Sequence, residues 1–506
     1  MVRGRRPVTV AVAVLLTLAA CTSDASPHRK KSTGAGPSAS PLLGACPLRG
    51  DLRCGSIEVP LDRANLGAGM ISISFSVHTH TDTESPAGEP VFAVPGGPGS
   101  PGIEAMGFAL GIGAIAAHHD VVAIDPRGTG ASGALDCPDL QNGWNHLREL
   151  EAAVTACGEQ LGDAADRYGA GDVAKDMEAV RRALGFDPID LYAFSYGTVP
   201  EQAYAVRFPE HVNALVFDAG MAVTDPEHVW GWRLGIPGAV VRAVALMCTR
   251  DAACDVANPA AALRWLVRRV ARDPIRGSVE RPGGDPEIVL VGEAEVASLL
   301  QSTGTCVVCG QIDPAQVMAA VAASRRGDLD PLLRLADLYA GGPGAVARDP
   351  SDFSAGDNIA AFCNDQDFVW ERTDPIDVRR RKFAAALRDL PPQAFEPYSR
   401  DGWNGFTSPG ACLTWPAPDL FEPAVPADAE FPDVPTLILA GDSDTIVPPV
   451  VVETLHEEFP NATFVTVAGA AHPVTGPAWG DCAAELVGRL FDTLAVGDTS
   501  CAQTPE

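Results

Sequence analysis

Short runs that are apolar on both faces recur along this chain, most of them closed by Gly, Pro or Asp. They are Val91-Phe92-Ala93-Val94, Val121-Val122-Ala123-Ile124, Leu191-Tyr192-Ala193-Phe194 and Ala214-Leu215-Val216-Phe217. Thr436-Leu437-Ile438-Leu439 and Thr463-Phe464-Val465-Thr466-Val467 follow much later. A strand with one wet face alternates in polarity. A strand apolar on both sides must be covered on both, as in a parallel sheet flanked by helices. Helical spacing appears between the runs: Val173, Met177, Val180 and Leu184 share a face, with Asp172 at the entry and Gly185 just past the end. The pattern predicts an α/β fold with a mostly parallel, doubly wound sheet.

The third run leads directly into Ser195-Tyr196-Gly197-Thr198, and a helix is expected over Glu201–Phe208. A serine between strand and helix, with glycine two residues on, matches a nucleophile elbow whose first glycine is here Ala193. Pro200 removes a backbone donor in the first turn of that helix. A serine hydroxyl is a weak nucleophile. It needs a base, and the base needs an acid to orient it. In chain order, Gly441-Asp442-Ser443-Asp444 closes the fifth run, and Ala468-Gly469-Ala470-Ala471-His472 closes the sixth. Ligands bind beyond strand ends in open α/β sheets, so Ser, Asp and His fall where a site forms. Gly96-Gly97-Pro98-Gly99 follows the first run. An attacked carbonyl develops an oxyanion that needs fixed backbone donors. Pro98 has none, which leaves Gly97, with Gly96 as the alternative, to act beside the Tyr196 amide.

These motifs, together with Asp125-Pro126-Arg127-Gly128-Thr129-Gly130-Ala131-Ser132, resemble the prolyl- and tripeptidyl-aminopeptidase family of α/β hydrolases. The likeness is greatest to its secreted actinobacterial tripeptidyl-aminopeptidase-like members. It is strongest over residues 91–220 and 431–482. The resemblance implies an α/β-hydrolase core over 44–220 and 431–506, interrupted by a large, mainly helical cap over 221–430. It implies Ser195 as nucleophile, His472 as general base and Asp444 as acid. The family's acid precedes a short stretch ending in proline, as in Asp444-Thr445-Ile446-Val447-Pro448, and this favours Asp444 over Asp442. Cap carboxylates hold the substrate's ammonium in such aminopeptidases; the candidates are Asp365 and Asp367, beside Cys363. No metal or cofactor is expected. The expected function is a serine aminopeptidase releasing short peptides from free N-termini. A carboxylesterase with the same triad and a catalytically silent surface-binding lipoprotein are the alternatives.

Within the insertion, Ala260–Ala271 and Pro314–Arg325 are expected helices. Its tryptophans, Trp230, Trp232, Trp265, Trp370, Trp403 and Trp415, are expected to pack a core before lining a pocket.

The N-terminus bears on the compartment. Arg3, Arg5 and Arg6 precede an uncharged apolar stretch, Val8 to Ala20, too short to be a comfortable membrane span. Leu18-Ala19-Ala20-Cys21 resembles a lipobox. Residues 1–20 are therefore expected to be a signal peptide, Cys21 a lipidation site, and 21–43 a Ser-, Pro- and Gly-rich tether to the outer face of the membrane. Apart from Cys21, the 13 cysteines form an even set, as export allows. Expected pairs are Cys46 with Cys54, Cys137 with Cys157, Cys248 with Cys254, Cys363 with Cys412, and Cys482 with Cys501. Cys306-Val307-Val308-Cys309 reads as a further disulfide before a redox or zinc motif. A formal charge of −28 argues against nucleic acid as a partner.

Overall fold

The computed structural model describes residues 42–47, 50–142, 147–223, 235–280, 286–305, 311–339, 349–407, 409–417 and 422–505. Residues 1–41, with the signal and Cys21, lie outside these, as do Trp230, Trp232, Cys306 and Cys309.

Strands β1 (Gly44–Ala45), β2 (Arg53–Pro60), β3 (Met70–His78), β4 (Val91–Val94), β5 (Val121–Ile124), β6 (Ile189–Phe194) and β7 (Val212–Asp218) come first. A hairpin, β8 (Ile275–Val279) and β9 (Glu287–Val291), lies in the inserted segment, and β10 (Thr436–Gly441) and β11 (Ala462–Val467) complete the set. Nine of these form one sheet in the order β1-β2-β3-β5-β4-β6-β7-β10-β11. From β5 to β11 every pairing is parallel; β1, β2 and β3 add an antiparallel flank. This is the α/β-hydrolase fold. Every residue of β4, β5, β7 and β10 is buried, which is why the sequence shows apolar runs there and no alternation.

The chain passes from β4 to β5 on one side and returns to β6 on the other. The carboxyl ends of β4 and β6 therefore flank a topological switch point, where open α/β sheets bind ligands. The helix Ala170–Leu184 precedes β6 and ends on Gly185 in the left-handed conformation. The helix Thr198–Arg207 follows the strand. Pro200 sits within its first turn, where backbone N–H groups have no intrahelical partner, so the missing donor costs nothing there.

Between β7 and β10 the chain is mainly helical, with Pro259–Arg272 and Pro314–Arg325 forming as expected. Part of it has its own apolar core around Leu263, Leu299 and Trp403. Another part packs Trp370 and Trp415 against residues 135–165 of the preceding segment. Trp370, Trp403 and Trp415 are all buried, and Trp265 packs against the first of these cores under Arg325. Disulfides join Cys46–Cys54, Cys137–Cys157, Cys248–Cys254, Cys363–Cys412 and Cys482–Cys501, the pairs expected from the sequence. Among the described residues, no helix is long and apolar enough to cross a membrane.

Candidate active site

β6 ends at Phe194, and the backbone reverses at the next residue. Ser195 has φ 57°, in the left-handed region where a side chain is strained. Residues Ser195–Gly197 make a 3-10 turn that feeds the helix Thr198–Arg207. Packing enforces the turn. A Cβ on Gly197 would lie 2.5 Å from the Pro95 carbonyl oxygen, so only glycine fits against the end of β4. A Cβ on Gly96 would lie 2.9 Å from the Ser195 Cβ, which puts the Gly96 backbone directly against the serine. Gly97 follows at φ 119°, and Tyr196 sits in the turn itself. The two oxyanion candidates thus lie at the carboxyl ends of paired strands, β4 and β6, with Val94 opposite Ala193.

Two aspartates close β10, and the fold sorts them. Asp444 is fully buried, and one of its carboxylate oxygens is 2.8 Å from His472 Nδ1. The other accepts the Ile446 and Val447 amides at 2.7 and 2.8 Å. Asp442 turns outward to a two-pronged ion pair with Arg250, both bonds 2.7 Å, and accepts the Gly469 amide. Burial disfavours a charged imidazole at His472. The Asp444 carboxylate outweighs it through charge and hydrogen bond, Asp218 adds to this, and the ring titrates above the usual histidine range. The inserted segment reaches both loops: the His472 amide donates to the Gly304 carbonyl (3.1 Å), and the Gly304 amide to Thr445 Oγ1 (2.9 Å).

His472 and Asp444 are therefore paired. Ser195 lies at the carboxyl end of β6 in the same sheet, separated by β7 from β10 and β11, and no hydrogen bond connects it to His472 among the described residues. Such bonds are commonly long before substrate tightens them.

Asp365 ends the helix Ala355–Asp365 and reaches the elbow. Its carboxylate accepts the Tyr196 hydroxyl and, at 2.8 Å, the Ala170 amide. Burial pushes it up to about 6, although the Tyr196 bond pulls the other way. Asp367, two residues on, is exposed.

Two carboxylates escaped the sequence reading. Asp357 is buried near the start of the same helix and lines a pocket with Tyr196, Tyr168 and Gly99. Burial, with Asp365 nearby, holds it well above the usual carboxylate range. Asp218 closes β7 beside the His472 loop. The Asp125–Ser132 motif is a brace. Arg127 is buried and pairs with Asp176 through two bonds of 2.8 and 2.9 Å, while Asp125 accepts the Ile103 and Ala131 amides.

Comparison with known proteins adds the following. A family model described as alpha/beta hydrolase fold matches residues 89–271, and one described as TAP-like protein matches residues 400–501. Serine protease Hip1 of Mycobacterium tuberculosis (strain ATCC 25618 / H37Rv) is 29% identical over 433 residues, covering 79% of this chain and 77% of that protein. Tripeptidyl aminopeptidase of Streptomyces lividans is 25% identical over 462 residues, covering 84% and 79%. Carboxylesterase B of Mycobacterium tuberculosis (strain CDC 1551 / Oshkosh) is 29% identical over 411 residues, covering 74% and 73%.

Proposed function

The chain belongs to the tripeptidyl-aminopeptidase-like family of α/β hydrolases and is a serine hydrolase, and from that premise we propose that it is an exported aminopeptidase releasing short peptides from free N-termini. The observation that carries the reading is Ser195 strained at φ 57° on the strand-to-helix turn after β6, with the Asp444–His472 pair at the carboxyl ends of β10 and β11 of the same sheet. His472 Nε2 takes the Ser195 proton as the oxygen attacks the scissile carbonyl. Asp444 keeps the other ring proton on Nδ1 and stabilises the imidazolium. The Tyr196 amide and a Gly97 or Gly96 amide receive the oxyanion. His472 then protonates the leaving amine, and water repeats the sequence on the acyl-enzyme.

A free N-terminus is a cation, and the pocket beside Tyr196 offers it Asp357, with Asp365 behind. A bound ammonium would return Asp357 to its ionised form. Asp365, already accepting two donors, supports Tyr196 in this arrangement. The carboxylesterase reading rests on the relative of that name, which matches at an identity equal to that of the protease. Export and anchoring rest on the N-terminal signal and Cys21.

The test is to assay the purified enzyme and Ser195→Ala on tripeptidyl anilides, N-blocked anilides and short-chain esters. Serine-dependent cleavage that requires the free amine supports the aminopeptidase. Ester turnover without anilide cleavage supports the esterase. No serine-dependent turnover and no fluorophosphonate labelling leaves the silent binder. For anchoring, Cys21→Ser should move the protein from the membrane fraction to the soluble one.

A further inference from the structure

The acyl-transfer steps use Ser195, His472, Asp444 and the oxyanion amides, and leave Asp218 without a role. It is the last residue of β7 and is fully buried. Its carboxylate accepts the Val474 amide at 2.7 Å and the Thr475 amide at 3.0 Å. It also accepts the Thr475 hydroxyl and, at 3.3 Å, the Tyr192 hydroxyl. Those two hydroxyls are 2.6 Å apart. Backbone N–H groups can only donate, so the carboxyl serves as an acceptor, the role of the ionised form.

Val474 and Thr475 lie two and three residues beyond His472. Asp218 itself is in register with Phe194, the residue before Ser195, and with Leu439 of β10. One side chain thus ties the loop carrying the base to the strand beside the nucleophile. The backbone at that point is strained and tightly held. Ala219 has φ 52°, its amide is bound by the Leu439 carbonyl at 2.9 Å, and a Cβ on Gly220 would lie 2.9 Å from Thr198. Strain persists only where the surroundings over-determine it.

We infer that Asp218 is a positioning carboxylate for His472, fixing the base's loop against the nucleophile's strand and placing a second negative charge behind the imidazolium as it forms. The inference rests on the triad reading above. The charged groups that face the ring are Asp444, from the loop after β10, and Asp218, from β7. Among the described residues, the inserted segment meets the His472 backbone through the backbone of Gly304 and Thr305.

The test compares wild type, Asp218→Asn and Thr475→Ala on a tripeptidyl anilide, with sites counted by fluorophosphonate labelling and Ser195→Ala as the blank. In Asp218→Asn, kcat per labelled site should fall about 10- to 100-fold, the cost of a slightly misplaced base, with KM nearly unchanged. Its acid limb should also move to lower pH by about half a unit or more, because a negative charge near the imidazolium is gone. Thr475→Ala keeps the carboxylate and both amide donors. It should lower kcat per site about threefold to tenfold and leave the acid limb in place. A merely structural Asp218 would lower the melting temperature and the number of labelled sites, with kcat per site and the acid limb unchanged; that result overturns the inference. If Asp218→Asn does not fold, an unchanged kcat per site in Thr475→Ala overturns it alone. Wild-type turnover surviving in Ser195→Ala overturns the triad reading, and this inference with it.

Discussion

Asp444→Asn is the substitution whose outcome the geometry fixes most tightly. The asparagine amide has one acceptor end and one donor end, and its surroundings choose between them. The oxygen that accepts the Ile446 and Val447 amides, at 2.7 and 2.8 Å, must be replaced by the amide oxygen. An NH2 group placed there would face two buried N–H donors. Each donor left without its bond costs about 1–3 kcal/mol, so the wrong orientation is disfavoured by about 2–6 kcal/mol. The NH2 group is therefore turned toward His472 Nδ1, now 2.8 Å from a carboxylate oxygen. Nδ1 becomes an acceptor, the ring proton moves to Nε2, and the nitrogen that acts as base in the proposed triad can no longer take a proton. Restoring the working tautomer requires the disfavoured flip, which lowers kcat by about 30-fold to 10⁴-fold at about 1.4 kcal/mol per decade. The same trap in a well-studied serine-protease triad costs about 10⁴. The assay is steady-state hydrolysis of a tripeptidyl anilide, with a thermal melt to show that the fold survives the near-isosteric change. Asp442→Asn is the control. It loses a part-exposed ion pair with Arg250, worth about 0.2–1 kcal/mol of stability, and leaves the tautomer alone. If Asp444→Asn keeps more than a tenth of wild-type kcat, or Asp442→Asn shows the larger loss, the reasoning is wrong.

Three further outcomes follow from the same structure. Because His472 must be neutral to act and titrates above 6.5, kcat/KM should rise with pH through a midpoint above that value. Its raised folded pKa means that the stability this pair adds is full below the unfolded value and is lost as pH rises through the folded one; a kinetic midpoint at or below 6.5 contradicts the assignment. Glu201 is fully buried on the helix Thr198–Arg207, and among the described residues no well-formed hydrogen bond reaches either oxygen. Burial pushes its carboxyl well above the usual range, and the Val216 amide offsets this only in part. Such a group is neutral in both states at low pH and opposes the fold as pH rises through its unfolded value, so Glu201→Met should add about 1–3 kcal/mol at neutral pH and less near pH 4, read from urea midpoints. A Cβ on Gly304 would lie 2.4 Å from Thr445 Oγ1 and 2.5 Å from the Ser443 carbonyl oxygen. Gly304→Ala should cost about 1–3 kcal/mol in a thermal melt and lower kcat by displacing the Asp444 loop, and full stability with full kcat would contradict this.

The six apolar runs correspond to β4, β5, β6, β7, β10 and β11; the first five were legible because they are buried on both faces, whereas β11, at the sheet edge, was expected to be covered likewise and instead leaves Thr463 and Thr466 exposed. The antiparallel flank was not read, although β3 carries a clean two-residue alternation, Ile71-Ser72-Ile73-Ser74-Phe75-Ser76-Val77. That signal marks a strand with unlike faces, and a search for uniformly apolar runs passes over it. The acid and base candidates were readable from chain order and strand ends. Asp218 was not, since an aspartate after an apolar run looks like an ordinary strand terminator until the fold brings Val474 and Thr475 to it. Asp357 lay hidden for the same reason. Only the tertiary structure packs the start of its helix against the Gly99 turn, where a Cβ would lie 2.4 Å from the Ser354 carbonyl oxygen.

The contacts of the inserted segment bear unequally on the proposed triad. Arg250 grips Asp442 in the acid's loop, Gly304 exchanges hydrogen bonds with Thr445 and His472, and the Gln301 carbonyl takes the Thr445 hydroxyl. Ser195 is held by other means: its carbonyl accepts from Thr198, and the elbow packs against the end of β4. A shift of residues 250 and 301–305 therefore reaches the acid and the base before it reaches the serine. Asp218 opposes such a shift from the sheet side, through the Val474 and Thr475 amides and the Thr475 hydroxyl of the His472 loop, with Tyr192 of β6 donating beside them. The base is thus held between the inserted segment and β7, and loosening either anchor should change its alignment while leaving the strained turn at Ser195 as it is.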